Sequence, residues 1–68
     1  MVIRDDGKVL AFEVKLAAAV SDRDVQHLVW LRNTLGPELV DSVVLTTGTD
    51  AYRRRDGIAV VPLALLGL

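Results

Sequence analysis

Met1-Val2-Ile3-Arg4-Asp5-Asp6-Gly7-Lys8-Val9-Leu10-Ala11-Phe12-Glu13-Val14-Lys15-Leu16 opens the chain, and its reading decides the fold. Two β-rich runs, Met1–Arg4 and Val9–Leu16, flank Asp5-Asp6-Gly7-Lys8. Asp-Gly at the centre suits a type I′ turn, whose two central residues both need φ > 0. That turn sets the register: Asp5 pairs with Lys8, Arg4 with Val9, Ile3 with Leu10, Val2 with Ala11 and Met1 with Phe12. Directly opposed residues share a face of the sheet. One face then carries Met1, Ile3, Leu10, Phe12, Val14 and Leu16, and is the expected seat of the helix. The other carries Val2, Arg4, Val9, Ala11, Glu13 and Lys15.

Outward from the hairpin, Ala17–Val20 is a small-residue connection and Ser21 an expected N-cap. Asp22 and Asp24 fall in the first turn, where the helix dipole favours them. The helix should run to about Leu35 and stop at Gly36-Pro37. At 100° per residue Val25, Leu28, Val29, Leu31 and Leu35 form one apolar stripe. Arg32 falls within the stripe and must snorkel, whereas Trp30 projects from the polar side. Asp41–Thr47 reads as a strand parallel to Val9–Leu16, because strand, helix and strand make a crossover unit. Gly48–Gly57 is a polar loop, Ile58–Val61 a short strand, and Pro62 opens a last short helix, Leu63–Leu66.

Composition bounds the function. The chain has 68 residues, which is one domain, and a core that small yields only ~3–5 kcal/mol of net stability. There are no cysteines and one histidine, which excludes disulfides, a thiol nucleophile, Cys-ligated zinc and a His-rich metal site. Oligomerisation is the remaining supplement. The chain is 51% hydrophobic, with mean hydropathy +0.38, a greasy composition for so small a domain. Its longest uncharged run, Gly57 to Leu68, is too short to span a bilayer. No charged, apolar and small-residue pattern of a secretory leader opens the sequence, so a cytoplasmic protein is expected. The net charge of −1 gives no overall electrostatic footprint for nucleic acid.

The constellation that can carry chemistry is Glu13-Val14-Lys15. Residues two apart on a strand point the same way, so Glu13 and Lys15 share a face. A carboxylate can hold a divalent metal, and an ammonium beside it can orient or activate an attacking water. Two charged residues on the solvent side of an edge hairpin are the commoner origin of such a triplet. Tyr52-Arg53-Arg54-Arg55 could grip phosphates while the ring stacks on a base. A solvated loop is the plainer reading, since three charges give little affinity at physiological salt. His27 reads as a surface residue, and Trp30 as a contact residue, since aromatics concentrate at interfaces.

The run Val2–Lys15, then Ser21 opening a helix with Leu28, Leu31 and a closing Leu35-Gly36, resembles a known family. Val43-Val44-Leu45 followed by Gly48, and the closing Val60-Val61-Pro62-Leu63, extend the likeness over essentially all 68 residues. The chain resembles the C-terminal part of the domain of unknown function 4143 (DUF4143), found at the end of prokaryotic AAA-type ATPases and placed in the PD-(D/E)xK nuclease-like superfamily. The resemblance implies an α/β fold built as a truncated restriction-endonuclease-like core: β-hairpin, one crossover helix, parallel strand, short final strand and short C-terminal helix. It implies that Glu13 is a metal ligand, that Val14 offers its carbonyl, that Lys15 is the catalytic lysine, and that Gln26 lies where some relatives carry an accessory polar residue. The superfamily's aspartate would fall opposite Glu13, one position before Met1. Asp5 and Asp6 lie in the turn, seven to eight positions from Glu13 or roughly 25 Å along a strand, too far to replace it. One carboxylate holds Mg²⁺ weakly.

The expectation is therefore a single truncated nuclease-like domain over residues 1–68, a non-catalytic remnant that self-associates as a homodimer. It takes no cofactor, Mg²⁺ or Mn²⁺ binding only if the site is completed, and has neither a small-molecule substrate nor a membrane. The family covers its second sheet face with segments preceding this chain, so Val2, Val9, Ala11, Val43 and Leu45 are expected in an open apolar patch that, with Trp30, forms the interface. A metal-dependent phosphodiesterase using Glu13 and Lys15 with a carboxylate from another chain is one alternative. Weak nucleic-acid binding through Tyr52–Arg55 is the other.

Overall fold

In the computed structural model, which describes residues 1–67, Asp6 and Gly7 have φ of 51° and 77°, the two positive values that the tight turn requires. β1 (Val2–Asp5) and β2 (Lys8–Lys15) pair antiparallel in the expected register, Val2 with Ala11 through Asp5 with Lys8. Met1 and Phe12 extend the ladder by exchanging backbone bonds of 2.7 and 2.8 Å. The Asp-Gly turn leaves the pairing no freedom to slip.

Ser21 is extended, a 3₁₀ turn follows at Asp22–Val25, and α1 occupies Gln26–Leu35. Gly36, with φ of 58°, ends it, and Pro37 cannot continue it. A 3₁₀ turn at Gly36–Glu38 leads into β3 (Leu39–Thr46), parallel to β2 as the crossover demands. Val9 pairs with Leu39 and Leu10 with Asp41, so Val40 is the extra residue of a bulge. β4 (Tyr52–Arg53) and β5 (Ala59–Pro62) complete a mixed five-stranded sheet in the order β1-β2-β3-β5-β4. β4 lies inside the segment expected as loop, antiparallel to β5. Pro62 ends β5, and the last turn, Leu63–Leu66, is 3₁₀. Leu68, the end of the expected domain, lies outside the described residues. Among the described residues no helix is long and apolar enough to cross a membrane.

The register is as expected, but the helix takes the other face. Val9 and Ala11 are 0% exposed, and Ala11, Val25, Leu28, Val44 and Ile58 form the core cluster. Leu10 and Val14, expected beneath the helix, are 36% and 53% exposed. Packing explains the choice. Ala11 pairs with Ser42, two small residues side by side, and they let α1 approach the strands closely. On the opposite face Phe12 pairs with Val43 and Val14 with Leu45, a row of large side chains that would hold a helix off. Val9 and Ala11 therefore belong to the core and not to the open patch expected of them. Glu13 and Lys15 lie on the helix-covered face, both half-buried, rather than on the solvent side.

Among the described residues one layer of helix covers the sheet, and the molecule measures 31 × 25 × 16 Å. Its accessible surface, 4648 Å², exceeds the roughly 4,200 Å² typical of a folded monomer of this mass. The excess lies in a plate-like shape with one sheet face bare.

Candidate functional site

Three surfaces were candidates for function in the sequence, and the structure changes the residues that make up the third, the apolar one. At the C-terminal end of β2, Glu13 and Lys15 share a face as their spacing requires, opposite Val44 and Thr46 of β3. The Lys15 ammonium donates to the carboxylate of Asp24, at the end of the connection that brings the chain back over the sheet. The same Asp24 oxygen accepts from the Ser21 backbone N–H at 2.8 Å and from the Ser21 hydroxyl at 3.0 Å. Lys15 is the largest influence; with Ser21 it holds the Asp24 carboxyl at about 2, against burial that would raise it. Sequence reasoning placed Asp24 in the first turn for its effect on the dipole and missed it as the partner of Lys15. The Ser21-x-x-Asp24 spacing of a capping pair signals the contact with Ser21, and carries no sign of Lys15.

Glu13 has no ion-pair partner among the described residues. Val14 pairs with Leu45, and its side chain stands on the bare face. Among the described residues, no group of three or more His, Cys, Asp or Glu side chains is placed to hold a metal ion. Gln26 and His27 are exposed at the start of α1, and the His27 ring stacks on Trp30 at 5.9 Å. Trp30 is 58% exposed, on the side of the helix away from the sheet.

The Tyr52–Arg55 segment is not one cationic patch. Arg53 donates to both oxygens of Asp41, at 2.9 and 3.1 Å, and to the Gly57 carbonyl at 2.7 Å. Arg54 is mostly buried and acts as a clasp. It donates to the Val20 carbonyl at 2.9 Å and to the carboxylates of Asp22 and Asp56, joining the crossover to the turn before β5. Burial works against its charge, but the two carboxylates more than offset this and its pKa is raised. Tyr52 and Arg55 are exposed.

The third surface is the bare sheet face. Leu10, Phe12, Val43, Leu45, Val61 and Leu66 line an open groove of about 450 Å³, and all six are apolar. Ile3, opposite Leu10, continues it toward the free edge of β1. Of the expected interface residues, Val43 and Leu45 lie in this groove. Val2 is exposed on β1, opposite Ala11, and Trp30 sits on the other side of the molecule.

Neither the curated proteins nor the solved structures yield a match to this chain. One family model does match, over residues 1–66, and on that extent the chain belongs to the family described as Domain of unknown function (DUF4143).

Proposed function

We propose that this domain is a nuclease-like core of the PD-(D/E)xK kind, kept as a non-catalytic interaction module, and that it pairs with a second copy of itself through the bare sheet face. The observation that carries this reading is the wholly apolar groove from Leu10 to Leu66. Strands in a parallel pairing are normally covered on both faces. β2, β3 and β5 are covered on one, and Val43-Val44-Leu45 is apolar toward both. A stable pairing needs about 800 Å² from each partner, roughly a sixth of this chain's surface. Two such faces can pack about 10 Å apart as a sheet sandwich, and the net charge of −1 adds little repulsion. In this reading Lys15 is structural, because its ammonium is already held by Asp24. No cofactor or small-molecule substrate is required, and a cytoplasmic setting beside an AAA-type ATPase fits a module of this kind.

Light scattering tests it. The chain should run as a dimer at micromolar concentration, and Leu45→Glu, which alters the bare face without touching the helix side, should leave a folded monomer. A parent chain that stays monomeric at micromolar concentration rejects the reading.

A second reading rests on Glu13, a half-buried carboxylate that has no ion-pair partner among the described residues and shares a face with the Lys15 ammonium. It would make the domain a metal-dependent phosphodiesterase once another chain supplied a carboxylate. Mn²⁺-dependent cleavage of DNA or RNA, abolished by Glu13→Gln and by Lys15→Ala, would favour it over the first. Binding of single-stranded nucleic acid that weakens with salt, without cleavage, would point instead to Tyr52 and Arg55.

A further inference from the structure

Among the described residues β1 forms one edge of the sheet, and all four of its residues are exposed. Antiparallel pairing bonds alternate residues. Met1 and Phe12 exchange both backbone bonds, so Ile3 with Leu10 and Asp5 with Lys8 are the other bonded pairs. The N–H and C=O of Val2 and of Arg4 therefore point away from β2, four backbone groups along a free edge. Sheets ordinarily guard such an edge by shortness, a bulge, a proline or a charge. The opposite edge, β4, is two residues long. β1 has no proline and pairs with β2 without a bulge. Its charges are also turned aside. Asp5 closes the turn opposite Lys8, and Arg4 reaches back over Val9 toward Glu38, Nη1 to Oε2 at 3.8 Å.

We propose that this edge pairs antiparallel with β1 of a second copy, in the register that sets Val2 opposite Arg4 and Ile3 opposite Ile3. Three registers align the outward residues. Arg4 against Arg4 sets like charges directly opposite and faces Ile3 with Asp5, which is destabilising. Val2 against Val2 forms two bonds only, because no residue of β1 then faces Arg4. Val2 against Arg4 forms four, separates the two guanidinium groups and brings the Ile3 side chains together. The two-fold axis of this pairing is normal to the sheet, so both helices stay on one side and the bare faces join into one. The contact goes beyond face-to-face pairing and does not depend on it. It is far smaller than the ~1,200 Å² of a stable interface, so alone it needs near-millimolar protein. Where its axis meets the in-plane two-fold of a face-to-face pair, the assembly closes at four chains.

The chain has no cysteine, so single cysteines report the register. Residue 3 would meet its own copy at a non-hydrogen-bonded position, with Cα atoms ~4.5 Å apart and within disulfide reach. Residue 2 would lie diagonally from its copy, at ~7–8 Å, beyond that reach. Val2 and Ile3 are 46% and 52% exposed, so random collision links them alike. The test is oxidation of Ile3→Cys and Val2→Cys by glutathione disulfide near millimolar protein, each chain also carrying Leu45→Glu to remove the face contact. The Ile3→Cys chain should form linked dimers several-fold faster. Adding Val2→Pro, which takes away an outward N–H but no bond of the hairpin, should slow it to the Val2→Cys rate. A solvated edge is the competing state, and it gives equal rates at the two positions. Equal rates, or linkage undiminished by Val2→Pro, overturn the proposal and leave the face-to-face reading standing. A parent chain that is monomeric at micromolar concentration, with Ile3→Cys still linking faster, keeps the edge and discards the face.

Discussion

Asp24 gathers three donors on one carboxylate oxygen, the Lys15 ammonium and the N–H and hydroxyl of Ser21. Its carboxyl is held at about 2 instead of the ordinary 3.8. A carboxyl whose pKa is lower in the folded chain contributes stability above its unfolded pKa and loses it as pH falls through the folded value. Asp41 is also held low, by Arg53 against burial, and so is Asp56, where the Ile58 N–H and Arg54 overcome burial. Urea denaturation should therefore show stability falling between about pH 4 and pH 2, the window set by those shifts. Asp24→Asn should lower stability at pH 7 and flatten the acid slope. A variant curve parallel to the parent's through that window would remove Asp24 from the acid transition. Arg54 is the other residue on which separate segments depend. Arg54→Met should cost about 1–3 kcal/mol, because the Val20 carbonyl and Asp56 lose a charged donor; a change below half of that in the same denaturation assay would count against the clasp.

Between elements, the decisive contact is α1 against Ala11, Val44 and Ile58. Leu28, 1% exposed, is the centre of the helix's buried stripe, and Leu28→Ala should cost about 2–5 kcal/mol in thermal or chemical denaturation. Ala11→Leu should cost about 1–3 kcal/mol by forcing the helix off the sheet, although it adds apolar surface. Were helix and hairpin seated as the hairpin's hydrophobicity alone suggests, that change would be nearly neutral. This is where the sequence stopped being legible. Asp6-Gly7 determines the register without help from the rest of the chain, and Gly36-Pro37 ends the helix just as locally. The choice of face is not local. Both faces of the hairpin carry apolar residues, and the winner is the one where Ala11 and Ser42, distant in sequence, combine to make room. β4 was hidden for the same reason, since Tyr52 and Arg53 form a strand only by pairing with Val60 and Ala59. At the candidate site, the shared face of Glu13 and Lys15 followed from strand parity. The partners of Lys15, Arg53 and Arg54 did not, because each lies at least nine residues away in sequence or across a turn.

At the scale of the whole molecule, one layer of helix on one side of a sheet leaves a plate 16 Å thin. If two plates meet on their bare faces, folding is linked to association, and the melting temperature should rise with protein concentration. The Leu45→Glu variant should melt at a temperature independent of concentration. Equal concentration dependence in both would place the contact elsewhere, at the β1 edge or at the helix. The stacked pair on α1 offers a way to tell these apart. Trp30 is the chain's only tryptophan, and it stands on the side of the helix turned away from the bare face. Its ultraviolet emission is thus a built-in label that is blind to a face-to-face dimer yet sensitive to loss of the helix. Diluting the protein through its dissociation range should leave the emission maximum where it is. A red shift on dilution would mean that the indole itself had been sheltered by the partner.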